Sequence, residues 1–238
     1  MKLNRTLLAV AGITAALQLA TAGNVTGKVT LKGTPTPDKD ISAEIKADAN
    51  CGKLHTEPVK IRYCVVGDGG ALADAVVVLK GVAGAKSGGA AAAPLILDQK
   101  GCEYIPYVAA AQTGQKIVVK NSDPTMHNVH PSPLNKGNNE DNKAQFAGGA
   151  DLTFEFPTAE EFLKFKCDVH PWMFSYITVV DHPYFAVTGK DGSFTIKDVP
   201  PGKYTLVTMH RKAALKGVEQ PIEVTADGGK ADVTLEIK

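Results

Sequence analysis

Along this chain apolar residues recur every second position far more often than every third or fourth. Asn24-Val25-Thr26-Gly27-Lys28-Val29-Thr30-Leu31 puts apolar and polar side chains on opposite faces, as a half-buried strand does. Leu152-Thr153-Phe154-Glu155-Phe156 alternates in the same way. In a strand over 162–167, Leu163, Phe165 and Cys167 share the face that turns inward. Ala75 to Leu79 is a continuous β-branched run, which predicts a strand buried on both faces. Further strands are expected at 62–66, 95–97, 104–110, 116–120 and 175–180, with turns at 99–101, 113–115 and 157–160. Beyond His182 the chain reads as strand, Asp191-Gly192 turn, strand, and a second turn at Pro200-Pro201-Gly202 before another strand. Pro35 to Asn50 reads as a connector and the Gly/Ala-rich stretch from Gly81 to Pro94 as a linker or loop. A helix across the alanines at 90–93 would be marginal at that length. Pro131 to Gly149 reads as a long, polar, mobile loop. Long helical periodicity is absent, so the expected fold class is all-β.

The concentrated chemistry lies in Cys167-Asp168-Val169-His170-Pro171-Trp172-Met173. A thiol, an imidazole and a thioether fall there with two residues between neighbours. Upstream, Asn121-Ser122-Asp123-Pro124-Thr125-Met126-His127-Asn128-Val129-His130 follows an apolar strand and supplies a second imidazole at His127. Two His, one Cys and a weak axial Met form the ligand set of blue copper. Singly, each residue has an ordinary reading: a buried strand thiol for Cys167, a core filler for Met173, turn and loop residues for His127 and His170. It is their joint spacing that points to a metal. His130 is expected to be solvent-exposed or a contact residue, and His55, His182 and His210 to be structural. Cys51-Gly52-Lys53-Leu54-His55 lacks the second Cys of a haem-attachment motif.

His127-Asn128-Val129-His130 followed by Cys-x-x-His-Pro-aromatic-Met resembles the small cupredoxins, type 1 blue copper proteins of the amicyanin and plastocyanin kind. The likeness runs over about Leu95 to Asp181. It implies a Greek-key cupredoxin β-sandwich or barrel at 95–181 and one copper ion held by His127, Cys167, His170 and Met173. It also implies that the Asn128 amide donates to the thiolate while the Asn128 side chain ties the two ligand loops. His170 would then lie exposed at its edge in an apolar patch through which electrons leave. Where amicyanin has Pro before the second His, this chain has Val169. Its N–H is expected to give the Cys167 sulfur another hydrogen bond and raise the potential. Trp172, the one Trp, would anchor a redox protein partner, or else pack over the loop.

Thr188-Gly189-Lys190-Asp191-Gly192-Ser193-Phe194 with Pro200-Pro201-Gly202-Lys203-Tyr204 resembles the carboxypeptidase regulatory-like domains, which are transthyretin-type β-sandwiches. Their opening strands correspond to Gly27-Lys28-Val29 and Ala75-Val76-Val77-Val78, which stand before the copper section. Two arrangements stay open. Residues 24–94 and 182–238 form one discontinuous sandwich around the cupredoxin, or 182–238 stands alone and 24–94 extends the cupredoxin.

Composition adds the compartment. Lys2 and Arg5, an apolar run from Leu7 to Leu19 and Ala20-Thr21-Ala22 read as a signal peptide over 1–22, hence a periplasmic or secreted protein. The run is too short and interrupted for a membrane span. With 26 Lys and Arg against 25 Asp and Glu, losing Lys2 and Arg5 leaves a slight acidic excess. That gives no support for nucleic-acid or polybasic membrane contacts. No phosphate loop and no Gly-x-Gly-x-x-Gly occur. Of the four cysteines, a metal-bound Cys167 leaves three, so at most one disulfide forms in an oxidising compartment. Cys51 and Cys102 both follow polar turns and are the favoured pair, Cys64 reading as a buried strand thiol; three free thiols are the alternative. The expected function is one-electron carriage rather than enzyme catalysis, with copper binding or delivery as the alternative.

Overall fold

The computed structural model describes residues 21–237; the expected leader therefore lies, apart from Thr21 and Ala22, outside the described residues. The protein is all-β, and its four main sheets pack face to face. In the first, Gly23–Lys32 pairs antiparallel with Ser193–Val199 and parallel with Gly229–Lys230 and Val233–Glu236, so the first and last strands of the described residues share one sheet. Gly27 allows this pairing, because a Cβ there would fall directly on the Ala231 carbonyl oxygen. The second sheet runs Phe185–Val187, Val76–Lys80, Gly202–His210, Ala214–Val224. The third runs Lys143–Gln145, His127–Ser132, Glu160–Lys166, Phe174–Val180, Val108–Gln112. The fourth runs Leu152–Phe154, Ile117–Asn121, Leu95–Gln99, Tyr104–Ile105.

Alternation along the inner strands divides three apolar layers. Val77 and Leu79 face Val25, Val29, Phe194 and Ile196 in the first layer. Val76 and Val78 point the other way, onto Val108, Phe162, Tyr176 and Val180. Leu163, Phe165, Ile177 and Val179 face Leu97, Ile117 and Val119 in the third. The β-branched run at 75–79 is thus buried on both faces because it is the shared wall of two cores. At the middle layer Arg211 donates to the Tyr176 hydroxyl at 2.9 Å and lies over its ring.

Several segments differ from expectation. Residues 62–66 form no strand: Lys60–Ile61 takes the pairing with Lys39–Asp40, and only Val66 bridges to Leu72. Cys64 is therefore a half-buried thiol in irregular chain. The expected strand at 104–110 divides at Pro106, which has no N–H for a ladder, and its halves join different sheets. The long loop of 131–149 includes Lys143–Gln145, paired to Val129, Asn128 and His127. The connector before Asn50 contains a helix, Ser42–Ala47, too short to show periodicity, with Ile45 buried and Glu44 and Lys46 at the ends the helix dipole favours.

The segment from Lys39 to Ile61 does not pack with the sandwich formed by the chain ends. Ile41, Ile45, Cys51 and Val59 belong to the same core as Leu97, Phe165 and Cys167, and a disulfide joins Cys51 to Cys102, with Cα atoms 5.7 Å apart. Apolar contact and crosslink both place this segment over the end of the third and fourth sheets.

Candidate metal centre

His127 opens its strand just after the chain crosses from the fourth sheet to the third. The crossing is held by Asn121, whose Nδ2 donates to the Thr125 and Gln145 carbonyls and whose Oδ1 accepts from the Asp123 amide. Cys167 follows the last residue of Glu160–Lys166. Its amide donates to the Met173 carbonyl at 3.1 Å, and the Met173 amide donates to the His170 carbonyl at 2.9 Å. The loop from 167 to 173 is thereby closed on itself. Its short spacing turns Cys167, His170 and Met173 to the interior, 2%, 3% and 0% exposed, beside a fully buried His127.

The donor atoms converge. His127 Nδ1 and His170 Nδ1 are 2.9 Å apart, and the Cys167 sulfur is 3.6 Å from His170 Nδ1. One donor atom from each of the three residues lies within 4.8 Å of the others. Protein nitrogen and sulfur bind a first-row ion at about 2.0–2.3 Å, so both separations suit one shared ion. Two imidazoles turned to the same side as a thiol, in an apolar enclosure with a thioether, fit a copper ion of mixed-ligand type.

The charges already suit a cation. Burial alone would push the Cys167 thiol up, yet hydrogen bonds from His127 and His170, then the Asn128 and His170 amides, bring it down to about 6. Burial would lower His127, but Asp123 and Cys167 outweigh it and raise it to about 9. Both shifts favour the thiolate and imidazolium forms, from which a metal displaces a proton on entry. The outer nitrogen of His127 meets Asp123 Oδ2 at 2.9 Å, and that carboxylate also accepts the Gly101 and Cys102 amides. A carboxylate there fixes ring orientation and tautomer.

Asn128 joins the two loops. Its amide approaches the Cys167 sulfur at 3.4 Å, and its Oδ1 accepts from the Asp168 amide at 2.7 Å and the Val169 amide at 3.3 Å. The expected Val169 hydrogen bond to sulfur is thus not made: the Asn128 side-chain Oδ1 accepts that N–H instead. Of the two readings given for His130, solvent-exposed or a contact residue, the first does not hold. His130 sits between Asp168 at 2.6 Å and Glu140 at 2.7 Å, with only 13% of its side chain exposed.

The largest correction concerns His170. Expected at an exposed edge, it is enclosed by the segment from Lys39 to Ile61, with Asp48 Oδ2 3.5 Å from His170 Nε2. Asp48 Oδ1 is held by the Asn50 and Cys51 amides at 2.8 Å, and Asn50 reaches Thr125 at 3.2 Å. Trp172 covers another side, its ring 5.3 Å from that of His170 and its N–H donating to the Cys102 carbonyl. It is half-buried and tied down.

Residues 182–238 match the family model of the BOS complex subunit NOMO1-like proteins, second β-sandwich domain. No curated protein matches the chain. Among solved structures it is similar to an amicyanin variant in the oxidised state, at 17% identity over 43% of this chain and 97% of that one, TM-score 0.33. A purple cupredoxin from Nitrosopumilus maritimus gives 18% identity over 36% and 98%, TM-score 0.30. The copper-containing nitrite reductase of Thermus scotoductus gives 18% identity and TM-score 0.34, over 37% of this chain and only 23% of the reductase. At such levels any site assignment rests on this chain's own side chains.

Sequence reasoning named His127, Cys167, His170, Met173 and Asn128; the structure brings donor atoms of the first three together, with Asn128 between their loops and Met173 buried in the same core. It missed Asp123, Asp168 and Asp48. Asp123 had a local signal, standing four residues before His127. Asp48 had none, because only the tertiary placement of the helix segment brings it to His170.

Proposed function

We propose that this chain is an exported type 1 copper protein that carries single electrons and is not itself an enzyme. The observation that carries the reading is the buried convergence of His127 Nδ1, His170 Nδ1 and the Cys167 sulfur, with Met173 in the same core. We read residues 95–181 as a cupredoxin-like sandwich and the paired chain ends as a transthyretin-type one. Copper bound by Cys167, His127, His170 and Met173 supplies a couple that passes one electron at a time. The rest is the work of the chain. Asp123 orients His127, and Asn128 holds the loop that bears Cys167 against the strand that bears His127. The segment from Lys39 to Ile61 keeps water from His170. Ligands held this way stay in place when the charge at the centre changes by one, which suits carriage. Copper delivery would favour an open site, whereas His170 is 3% exposed. The physiological partner is a redox protein on this reading, and export follows from the leader expected at 1–22.

The test is an absorption spectrum of the mature protein titrated with Cu(II). One equivalent should give an intense visible thiolate charge-transfer band, and Cys167→Ser should lose it while keeping the fold by circular dichroism. A colourless wild type with all four ligands intact would end the proposal.

A further inference from the structure

Between the two sandwiches, beside Trp172 and the end of the segment that covers His170, lies an open cleft of about 380 Å³. That is within the roughly 300–1,000 Å³ of small-molecule sites, which favour such boundaries. Its aromatic walls are Tyr107, Trp172 and Phe174, and its polar groups include Arg62, Asp74 and Glu103. The Trp172 N–H is spent on the Cys102 carbonyl, so what that residue offers the cleft is apolar ring.

The two carboxylates are the informative part. Asp74 and Glu103 are each half-buried, and neither side chain has a hydrogen bond or ion pair among the described residues. Burial pushes both above the usual carboxylate range, with Arg62 pulling the other way. Their oxygens still open to the cleft, so each keeps acceptor capacity that a bound donor can use in place of water. What completes a carboxylate is a donor, an O–H or N–H carried by a ligand. Lys60 and Lys190 line the cleft beside Arg62, so cationic groups outnumber acidic ones and an organic cation is disfavoured. A neutral ring bearing hydroxyl donors meets both conditions, its face against the aromatic walls and its O–H groups on the carboxylates.

We infer that this cleft binds a small hydroxylated aromatic molecule of the phenol or hydroquinone class, with Asp74 and Glu103 as hydrogen-bond acceptors and Tyr107 and Trp172 as stacking walls. The inference goes beyond the metal reading and stands without it.

The experiment titrates hydroquinone into the full mature protein, both metal-free and loaded with Cu(I). Calorimetry and the fluorescence of Trp172, the one Trp of the chain, are the readouts. Saturable one-to-one binding with quenching is expected in both forms. Glu103→Gln, which keeps the shape, should weaken it several-fold, and Tyr107→Ala should weaken it at least as much. Benzylammonium should bind more weakly than hydroquinone. Non-saturable quenching, unchanged affinity in both variants, or tighter binding of benzylammonium would overturn the inference. A protein that takes up no copper but binds hydroquinone would sink only the metal reading. A blue protein that ignores hydroquinone would sink only this one.

Discussion

Replacing both Cys51 and Cys102 by Ala separates two roles that the disulfide plays. The crosslink spans 51 residues of sequence. Closing a loop of that length removes about 14 cal/mol/K from the unfolded chain, or about 4 kcal/mol at room temperature. Set against a stability of about 5–15 kcal/mol for ordinary domains, that is a large share. The folded segment over His170 should nevertheless stay seated, because Ile41 and Ile45 are 1% and 0% exposed in the core. Each such side chain contributes about 1.5–3 kcal/mol. The expected result is thus a global loss near 4 kcal/mol by denaturant unfolding, with native hydrogen exchange of residues 41–55 following global unfolding in both proteins. A loss below about 1 kcal/mol would refute the loop-closure reasoning. Fast exchange confined to 41–55 would refute the claim that apolar packing holds the segment.

Three further outcomes are expected. His210 is 2% exposed, and its Nδ1 accepts the Lys212 and Ala213 amides; burial first, then Arg211, bring its pKa down to about 4. Stability should therefore fall as pH drops through the unfolded value near 6.5, reaching a loss of about 3 kcal/mol below about 4; His210→Gln should flatten that acid limb, and an unchanged profile would refute the assignment. Val169→Pro removes an N–H that goes to Asn128 rather than to sulfur, so the potential of the copper-loaded protein should hold; a clear drop by voltammetry would restore the sulfur bond first expected. Asp123→Asn should lower metal affinity by about 10–100-fold, measured by competition with a chelator.

The strands were legible because burial writes a period of two into the chain, and even the double-sided run from Ala75 to Leu79 announced itself by lacking polar residues. The ligands were legible because loop closure demands their spacing. What stayed hidden depends on partners far along the chain. A six-residue helix has too few turns to show a stripe, so Ser42–Ala47 read as connector. The Val169 N–H was assigned to the nearest sulfur, since nothing local says that the Asn128 oxygen lies closer to its path. His170 was given an exposed edge because the loop alone contains no residue able to cover it; Asp48 stands more than a hundred residues earlier.

The middle apolar layer ties the section over residues 95–181 to the sandwich beside it. Val76, Val78, Val207 and Met209 of one sandwich press on Val108, Phe162, Tyr176 and Val180 of the other, all buried. Exposing the last four by cutting out residues 95–181 would cost about 6–12 kcal/mol at about 1.5–3 kcal/mol each, comparable with a whole domain's stability. The excised piece would lose the Cys51–Cys102 crosslink and Asp48 as well. The section that holds the candidate ligands therefore depends on both flanks of the chain: one supplies its outer wall, and the other covers His170.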